Sequence, residues 1–266
     1  MHLRWYDHWL KGIDNGIEQA KPVQIFVMGT NIWREEEAWP LPDTQYRSYY
    51  LHSQGHANRE QGDGTLSTEL AGQEPEDVYH YDPRYPVPTV SEATDPGEQS
   101  EMGPFDQRTI ETREDVLCYT TPPLEHSTEV TGPLELVLYV SSSALDTDFT
   151  GKLVDVHPDG RAEILSDGIL RARYRQSLAE PVLMEPDQIC RLRIALGATS
   201  NVFLARHRIR LDVSSSNFPR FNRNTNTGGN IATERAADLK SSINRVHHSH
   251  VYPSALILPI IERTDK

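Results

Sequence analysis

The chain has 266 residues, a formal net charge of −13 at neutral pH, and 37% hydrophobic and 8% aromatic residues. This length allows one large domain, or one domain and part of a second. The negative charge repels phosphate groups, so we expect neither nucleic acid nor an anionic membrane surface as a partner. No apolar run approaches the roughly 18–20 residues that cross a bilayer, which excludes a membrane-spanning helix.

The cysteines and the N-terminus indicate a reducing compartment. Cys118 and Cys190 are the only two cysteines, and they lie far apart without metal-ligand spacing. We therefore expect two reduced thiols in place of a disulfide. The first residues lack the apolar stretch and small-residue cleavage site of a secretion signal, so the sequence predicts a cytoplasmic protein.

The first 45 residues read as the edge of an α/β domain. Leu3 to Lys11 has apolar residues at helical spacing and ends before Gly12, which predicts a short amphipathic helix. Pro22 to Met28 is a nearly continuous apolar run of strand length, which predicts a strand buried on both faces. Such a strand needs a sheet beside it, and no alternation of strands and helices follows.

From residue 46 onward the pattern changes to short alternating runs separated by turn residues. Predicted strands cover Tyr49–His52, Leu134–Val140, Gly151–Val156, Glu163–Leu165, Gln188–Ile194, His207–Val213 and Ala255–Ile261. Their number and spacing predict two packed antiparallel sheets, a sandwich or jelly roll. Between them, Gln73 to Phe105 is rich in proline and acids and predicts a long surface loop. Thr233 to Ile243 is the one plausible later helix.

No complete catalytic motif is present. A nucleophile elbow needs Gly-x-Ser-x-Gly, which does not occur, and the triplets Ser141–Ser143 and Ser214–Ser216 lie at strand ends where serine is ordinary. The tract His247–His250 resembles a metal tract, but without carboxylates at ligand spacing we interpret it as a solvated loop. The sequence therefore assigns no catalytic residue and no metal site.

The acidic residues favour structural pairing over catalysis. Asp146, Asp148 and Asp155 lie near Arg171 and Arg173 in neighbouring predicted strands, so we expect buried or half-buried salt bridges between those strands. The segment from residue 222 to 229 is dense in Asn, Thr and Gly, and its amides can bond their own backbone or bind a sugar. Turn chemistry is the default interpretation.

Four long segments resemble one family. They are Ser141–Phe149, Lys152–Arg161, Asp167–Arg175 and His207–Arg220, supported by Trp9–Gly12, Val27–Arg34, Trp39–Pro42 and Asn224–Gly228. Together they resemble the C-terminal domain of CocE/NonD hydrolases, which is also the X-Pro dipeptidyl-peptidase C-terminal domain. The resemblance covers nearly the whole chain in the right order.

The resemblance implies a mainly β fold, in which residues 1–45 are a helix-strand remnant of an α/β-hydrolase domain. Residues 46–266 would form a galactose-binding-like jelly-roll β-sandwich. It also implies a serine hydrolase of acyl esters or amides, including Xaa-Pro dipeptidyl peptidases, that needs no cofactor. The catalytic Ser, Asp and His stand in the α/β-hydrolase domain, so His2 and His8 inherit no catalytic role. We expect this chain alone to be inactive.

The same resemblance implies a position beside the acyl pocket. The end of the Pro-rich loop would lie near the cleft, with Met102 and Phe105 as apolar edge residues, and the substrate would be a small acyl ester or peptide. Two other functions remain open. One is a carbohydrate-binding jelly roll, and the other is a noncatalytic subunit that docks onto a separately encoded hydrolase half through its first 45 residues. A homodimer that hides the strand Val23 to Met28 is a further expectation.

Overall fold

The computed structural model describes residues 2–90 and 103–263. The helices are α1 (His2–Lys11) and α2 (Arg108–Glu111). The strands are β1 (Val23–Val27), β2 (Ile32–Glu36), β3 (Thr44–His52), β4 (Thr65–Ser67), β5 (Asp77–Tyr81), β6 (Leu117–Thr120), β7 (Thr128–Ser142), β8 (Asp148–Val156), β9 (Ala162–Arg171), β10 (Cys190–Phe203), β11 (Arg208–Ser214), β12 (Ser242–His247) and β13 (Ala255–Ile261). The chain is therefore mainly β, as predicted.

The strands from β3 onward form a β-sandwich whose two halves are joined by one short strand pair. One half has the order β5-β12-β7-β13-β3-β4, with β10 also paired to β7, and the other half has the order β6-β11-β8-β9. A single parallel pair, Thr65 with Thr120, joins β4 to β6. All seven strands expected from residue 46 onward correspond to observed strands. Four of them lie within the longer strands β3, β7, β8 and β9, and the last coincides with β13. The expected Gln188–Ile194 and His207–Val213 begin two residues before β10 and one residue before β11.

The largest apolar core lies between the two halves. It contains Leu136 of β7 and Leu153 of β8, both fully buried, with the other inward residues of these strands. The two halves approach closely at Gly151 of β8, because a Cβ there would lie 2.5 Å from the Leu136 side chain. The residues at alternate positions of each strand thus meet across the sandwich, as the period of two in the sequence requires.

Three sequence-based expectations are wrong in detail. Only Val27 of β1 is buried, and β1 pairs antiparallel with β2, so it is not buried on both faces and the chain supplies its own pairing strand. The expected helix from Thr233 to Ile243 is a single short turn at Ala236–Asp238, and Ile243 lies in β12. In each case pairing with a neighbouring strand decides the conformation over local propensity.

The Pro-rich segment from Gln73 to Phe105 is more than a surface loop. It contains β5, which pairs with β12 at the end of the sheet, and Tyr79 and Tyr81 of β5 are buried in the core. Val87, farther along, is buried as well. Buried and exposed residues alternate along β5, so Asp77, Tyr79 and Tyr81 form its buried face.

The hairpin formed by β1 and β2 is attached to the edge of the sandwich. Met28 N donates to Ser200 O at 2.9 Å, and Val202 N donates to Met28 O at 2.9 Å. Arg34 of β2 makes two hydrogen bonds, of 2.8 and 2.5 Å, to the carboxylate of Glu129 at the start of β7. Two elements of residues 1–45 are therefore bonded to the β-sandwich, while the boundary between residues 45 and 46 stays a prediction.

Candidate functional site

Helix α1 presents an apolar surface to solvent. None of its residues is buried. Arg4 and Asn15 hold the helix to the chain that follows it, because the Arg4 guanidinium donates to Asn15 O and the Asn15 amide donates to Arg4 O. The exposed fractions of its apolar residues are 80% for Leu3, 52% for Trp5, 53% for Tyr6, 54% for Trp9 and 76% for Leu10. A helix this short is not expected to be stable in water unless its apolar side packs on something.

The β1–β2 hairpin exposes a second group of apolar side chains. Phe26 of β1 and Trp33 of β2 pack on each other with ring centroids 5.4 Å apart, and they remain 39% and 66% exposed. Ile32 is 51% exposed beside them, and Trp39 follows the hairpin at 40%. The side of the hairpin that carries Arg34 faces the sandwich. Trp33 and its pairing partner Phe26 point to the other side, so their rings lie on surface that the sandwich leaves open.

Tryptophan usage makes this surface distinctive. The chain contains four tryptophans, Trp5, Trp9, Trp33 and Trp39, and every one is at least 40% exposed. Tryptophan is highly buried on average in folded proteins, and clusters of exposed aromatic residues mark interaction sites. We call the exposed apolar residues of α1, the β1–β2 hairpin and Trp39 the N-terminal apolar face.

The predicted pocket-edge residues lie elsewhere in the chain. Phe105 is half-buried, and its carbonyl oxygen accepts hydrogen bonds from Ile164 N at 3.3 Å and from the Gln107 amide at 2.8 Å. These bonds fix Phe105 beside β9. Met102 lies outside the described residues. A role for either residue at a pocket edge therefore stays a prediction.

A buried Ser, His and Asp come together in the core, but not as a hydrolytic triad. Ser53 Oγ donates to Asp77 Oδ2 at 2.7 Å, and His248 Nε2 lies 3.0 Å from the same oxygen. Tyr119 OH donates to it as well, and Ala57 N donates to Oδ1. Ser53, Asp77 and His248 are each at least 96% buried, so no substrate reaches the hydroxyl. Burial works to raise the pKa of Asp77, but these hydrogen bonds outweigh it and hold the pKa below its ordinary value.

This cluster corrects the interpretation of the histidine tract. His248 is buried, so the tract is not simply a solvated loop. Its carboxylate neighbours are Asp77 and Glu74, whose Oε2 lies 3.3 Å from His248 Nδ1. Both acids come from the Pro-rich segment about 170 residues earlier, and pairing of β5 with β12 brings them to the histidine. Sequence spacing alone carries no signal of that contact.

The predicted salt bridges between strands are confirmed for two acids. Arg171 donates to both oxygens of Asp148, at 2.9 and 3.1 Å, and Arg173 donates to Asp146 at 2.8 Å. Asn224 completes the group, since its amide donates to Asp146 at 2.8 Å and to Asp148 at 2.7 Å. Burial raises the pKa of Asp148, against the opposing effects of Arg171 and Asn224. The group stabilises a turn and leaves no free nucleophile.

The serine triplets take structural positions. Ser142 Oγ donates to the Asn244 side chain at 2.6 Å, and Ser214 Oγ lies 2.8 Å from Thr150 Oγ1. Both serines are buried, as are Ser215 and Ser216. A nucleophilic serine must stand open to substrate, with a general base in reach of its hydroxyl. These serines instead make hydrogen bonds at the ends of strands, the position that the sequence predicted for them.

Among the described residues, no helix is long and apolar enough to cross a membrane. The comparisons with known proteins assign the family. Residues 15–257 match the model of the X-Pro dipeptidyl-peptidase C-terminal non-catalytic domain. The chain belongs to this family. The match includes the β1–β2 hairpin together with the sandwich.

The relatives of the domain are hydrolases about twice as long. The chain is 50% identical over 263 residues to the cocaine esterase of Rhodococcus sp. (strain MB1 Bresler), covering 99% of this chain and 46% of the relative. It superposes with a TM-score of 0.85 and 31% identity on an aminopeptidase from a marine sediment Thaumarchaeota archaeon, covering 98% and 44%. An α-amino acid ester hydrolase matches with a TM-score of 0.84 and 29% identity, covering 97% and 44%.

The chain thus spans a little under half the length of these relatives, and in them this domain is one part of a larger hydrolase. The chain is the non-catalytic domain of CocE/NonD-type hydrolases. Within it, Ser53, Asp77 and His248 are buried, and none of these three is open to substrate.

Proposed function

We propose that this domain packs against the α/β catalytic domain of a serine hydrolase that acts on acyl esters or amides. The observation that carries the proposal is the N-terminal apolar face, on which all four tryptophans of the chain are exposed. Covering such a surface gains roughly 25 cal/mol for each Å² of apolar area removed from water. A catalytic domain of the same hydrolase is the partner that this surface fits.

The substrate class follows from the bonds that the relatives' names specify. Two relatives are named for ester hydrolysis and one for peptide hydrolysis, and all three include a region similar to this chain. Acyl transfer from both ester and amide runs through an oxyanion intermediate, so one catalytic domain serves either bond. The domain described here adds binding surface to that chemistry and supplies no reacting group.

A domain exchange tests the proposal. The catalytic portion of the Rhodococcus esterase is joined to this chain in place of its own matching region, and hydrolysis of p-nitrophenyl acetate and of an Ala-Pro chromogenic amide is measured. We expect turnover from the hybrid, and neither turnover nor a phosphonate adduct from this chain alone. Turnover by this chain alone would refute its non-catalytic role.

The same hybrid tests the pocket-edge role of Phe105. If Phe105 forms part of the wall of the acyl pocket, Phe105→Ala changes the ratio of kcat/KM between short and bulky acyl esters. Tyr85→Ala is the control, because Tyr85 is an aromatic residue that is 72% exposed and lies outside the N-terminal apolar face. Equal acyl selectivity in the two variants would remove Phe105 from the pocket.

A further inference from the structure

Three potential metal ligands converge at one end of the sandwich. Asp155 is in β8, His157 follows β8 directly, and His207 precedes β11. Residues two apart on a strand point to the same face, so Asp155 and His157 share a face of the sheet. Arg208 pairs with Val156, and the next step along both strands sets His207 opposite His157. The sequence predicted no metal site, and His207 lies 50 residues beyond His157 along the chain.

The ligand atoms are close enough for one ion. One oxygen or nitrogen from each of the three side chains lies within 4.8 Å of the other two. Asp155 Oδ1 and His207 Nδ1 are 2.8 Å apart, and the two imidazole rings have centroids 4.4 Å apart. In a tetrahedral zinc site with bonds of about 2.0–2.1 Å, ligand atoms are about 3.3 Å apart. Completing this geometry takes a shift of one side chain by roughly 1–1.5 Å and a separation of Asp155 Oδ1 from His207 Nδ1 by roughly 0.5 Å.

His157 is the side chain able to make that shift. Asp155 and His207 are buried, whereas His157 is half-buried at the turn between β8 and β9. Its Nε2 lies 3.0 Å from Glu163 Oε2, the kind of carboxylate contact that orients a metal-binding imidazole. Arg161 Nη2 also lies 3.2 Å from His157 Nδ1, but this guanidinium is 46% exposed and pairs with Glu163, so it can turn toward solvent.

We propose that Asp155, His157 and His207 bind a divalent transition-metal ion of the zinc class, which ties the β8–β9 turn to the start of β11. Two imidazoles and one carboxylate suit zinc, cobalt or nickel, whereas calcium and magnesium prefer sets of oxygen ligands. The net charge of −13 favours the approach of a cation. The ion links two neighbouring strands at the end of the core, so its effect is structural, and it raises the stability of the sandwich.

Zinc binding by the metal-free chain tests the site. The chain is freed of any affinity tag and of metal with a chelator, and Zn²⁺ is titrated by calorimetry, with bound metal counted by mass spectrometry. We expect one Zn²⁺ per chain and a rise in the thermal unfolding midpoint on addition of Zn²⁺. Cobalt in its place should show the d–d absorption of a low-symmetry, four-coordinate site.

Histidine variants locate the bound ion. His207→Gln and His157→Gln should each weaken Zn²⁺ binding by at least about tenfold. Even the loss of a residue that only hydrogen-bonds to a metal ligand costs about tenfold or more in affinity. His157→Gln is the decisive variant. His157 is half-buried, so its replacement leaves the fold intact even where replacement of the buried His207 does not. His126→Gln is the matched control, because His126 is exposed and lies outside the cluster.

Two results would overturn the site. One is the absence of stoichiometric Zn²⁺ binding at micromolar concentration. The other is equal Zn²⁺ affinity in His157→Gln and the unchanged chain, which would place the ion on other histidines. In either case the cluster is only a buried Asp155–His207 pair with a neighbouring imidazole.

Discussion

Glu111, at the end of α2, is a carboxylate buried among other charged groups. Its side chain has no solvent exposure, and Arg210 Nη1 donates to Glu111 Oε2 at 2.6 Å. Burial, and next the nearby carboxylate of Asp212, raise the pKa of Glu111 to about 8, against the opposing effect of Arg210. Burial also raises the pKa of Asp212. A proton held between these two carboxyl groups therefore belongs to the folded state at neutral pH.

This arrangement predicts a pH dependence of stability. A carboxyl whose pKa is raised from 4.5 to about 8 keeps its proton in the folded chain and loses it in the unfolded chain between these two values. The free energy of unfolding then falls as pH rises from about 5 to 8, by at most about 1.4 kcal/mol per pH unit for one group. Glu111→Gln should flatten this slope, because the amide is uncharged at every pH. Urea unfolding at pH 5, 6, 7 and 8 measures it.

Glu114→Gln is the control for this prediction. Glu114 is three residues farther along, and its side chain is 80% exposed, so its loss should leave the slope unchanged. If Glu111→Gln and the unchanged chain have the same slope, the titrating group is not Glu111.

At the residue scale, the sequence predicted pairs that are close along the chain and missed those that are distant. Asp148 and Arg171 lie on strands joined by one turn, so their pairing follows from charge and alternation. The contacts of Asp77 with His248 and of Asp155 with His207 depend on which strands become neighbours over 171 and 52 residues. One chain gives no register between such distant strands.

At the element scale, Gly29 decides how the β1–β2 hairpin attaches to the sandwich. Gly29 has φ of +81°, and a Cβ there would lie 2.2 Å from Val202 O, well inside contact distance. Gly29→Ala should therefore break the backbone hydrogen bonds between Met28 and β10. Amide hydrogen exchange in residues 23–36 should speed up by tenfold or more, equivalent to about 1.4 kcal/mol or more of lost local stability.

Gly12→Ala separates crowding from backbone strain. Gly12 ends α1 with a similar φ of +68°, but a Cβ there meets nothing within 4 Å. Its replacement should cost only the roughly 1–2 kcal/mol of left-handed strain, confined to the end of α1. If Gly29→Ala leaves amide hydrogen exchange in the β1–β2 hairpin unchanged, close packing of Gly29 on Val202 does not hold the hairpin to the sandwich.

The sequence predicted the position of β1 correctly but not its burial, since the run from Pro22 to Met28 forms a strand that is not buried on both faces. β10 alternates between exposed and buried residues from Arg191 to Ala195 because one face meets the core, and that alternation is local information. β8, in contrast, is buried along its whole length. The apolar run in β1 instead divides its residues between the sandwich edge and the exposed surface. Periodicity shows which face of a strand is apolar, but not whether the surface that covers this face belongs to the same domain.

At the scale of the whole molecule, the N-terminal apolar face determines how this chain behaves without a catalytic domain. Trp5 and Trp9 on α1 pack with ring centroids 5.7 Å apart and are each more than half exposed. A symmetric contact between two copies buries this apolar surface on both of them. Removing apolar area from water is favourable, so the contact stabilises the pair. The isolated chain should therefore self-associate with rising concentration, and Trp5→Ser with Trp9→Ser should shift it toward monomer.

Light scattering after size separation measures this association over a hundredfold range of concentration. Tyr85→Ser is the matched control, since it removes an aromatic ring that is 72% exposed outside the N-terminal apolar face, and it should leave the association constant unchanged. A monomer at all concentrations would mean that the apolar face is not adhesive by itself. If the tryptophan variant and Tyr85→Ser weaken the association equally, the association depends on exposed aromatic residues in general and not on this face. A selective loss in the tryptophan variant would identify this face as the surface through which two copies associate.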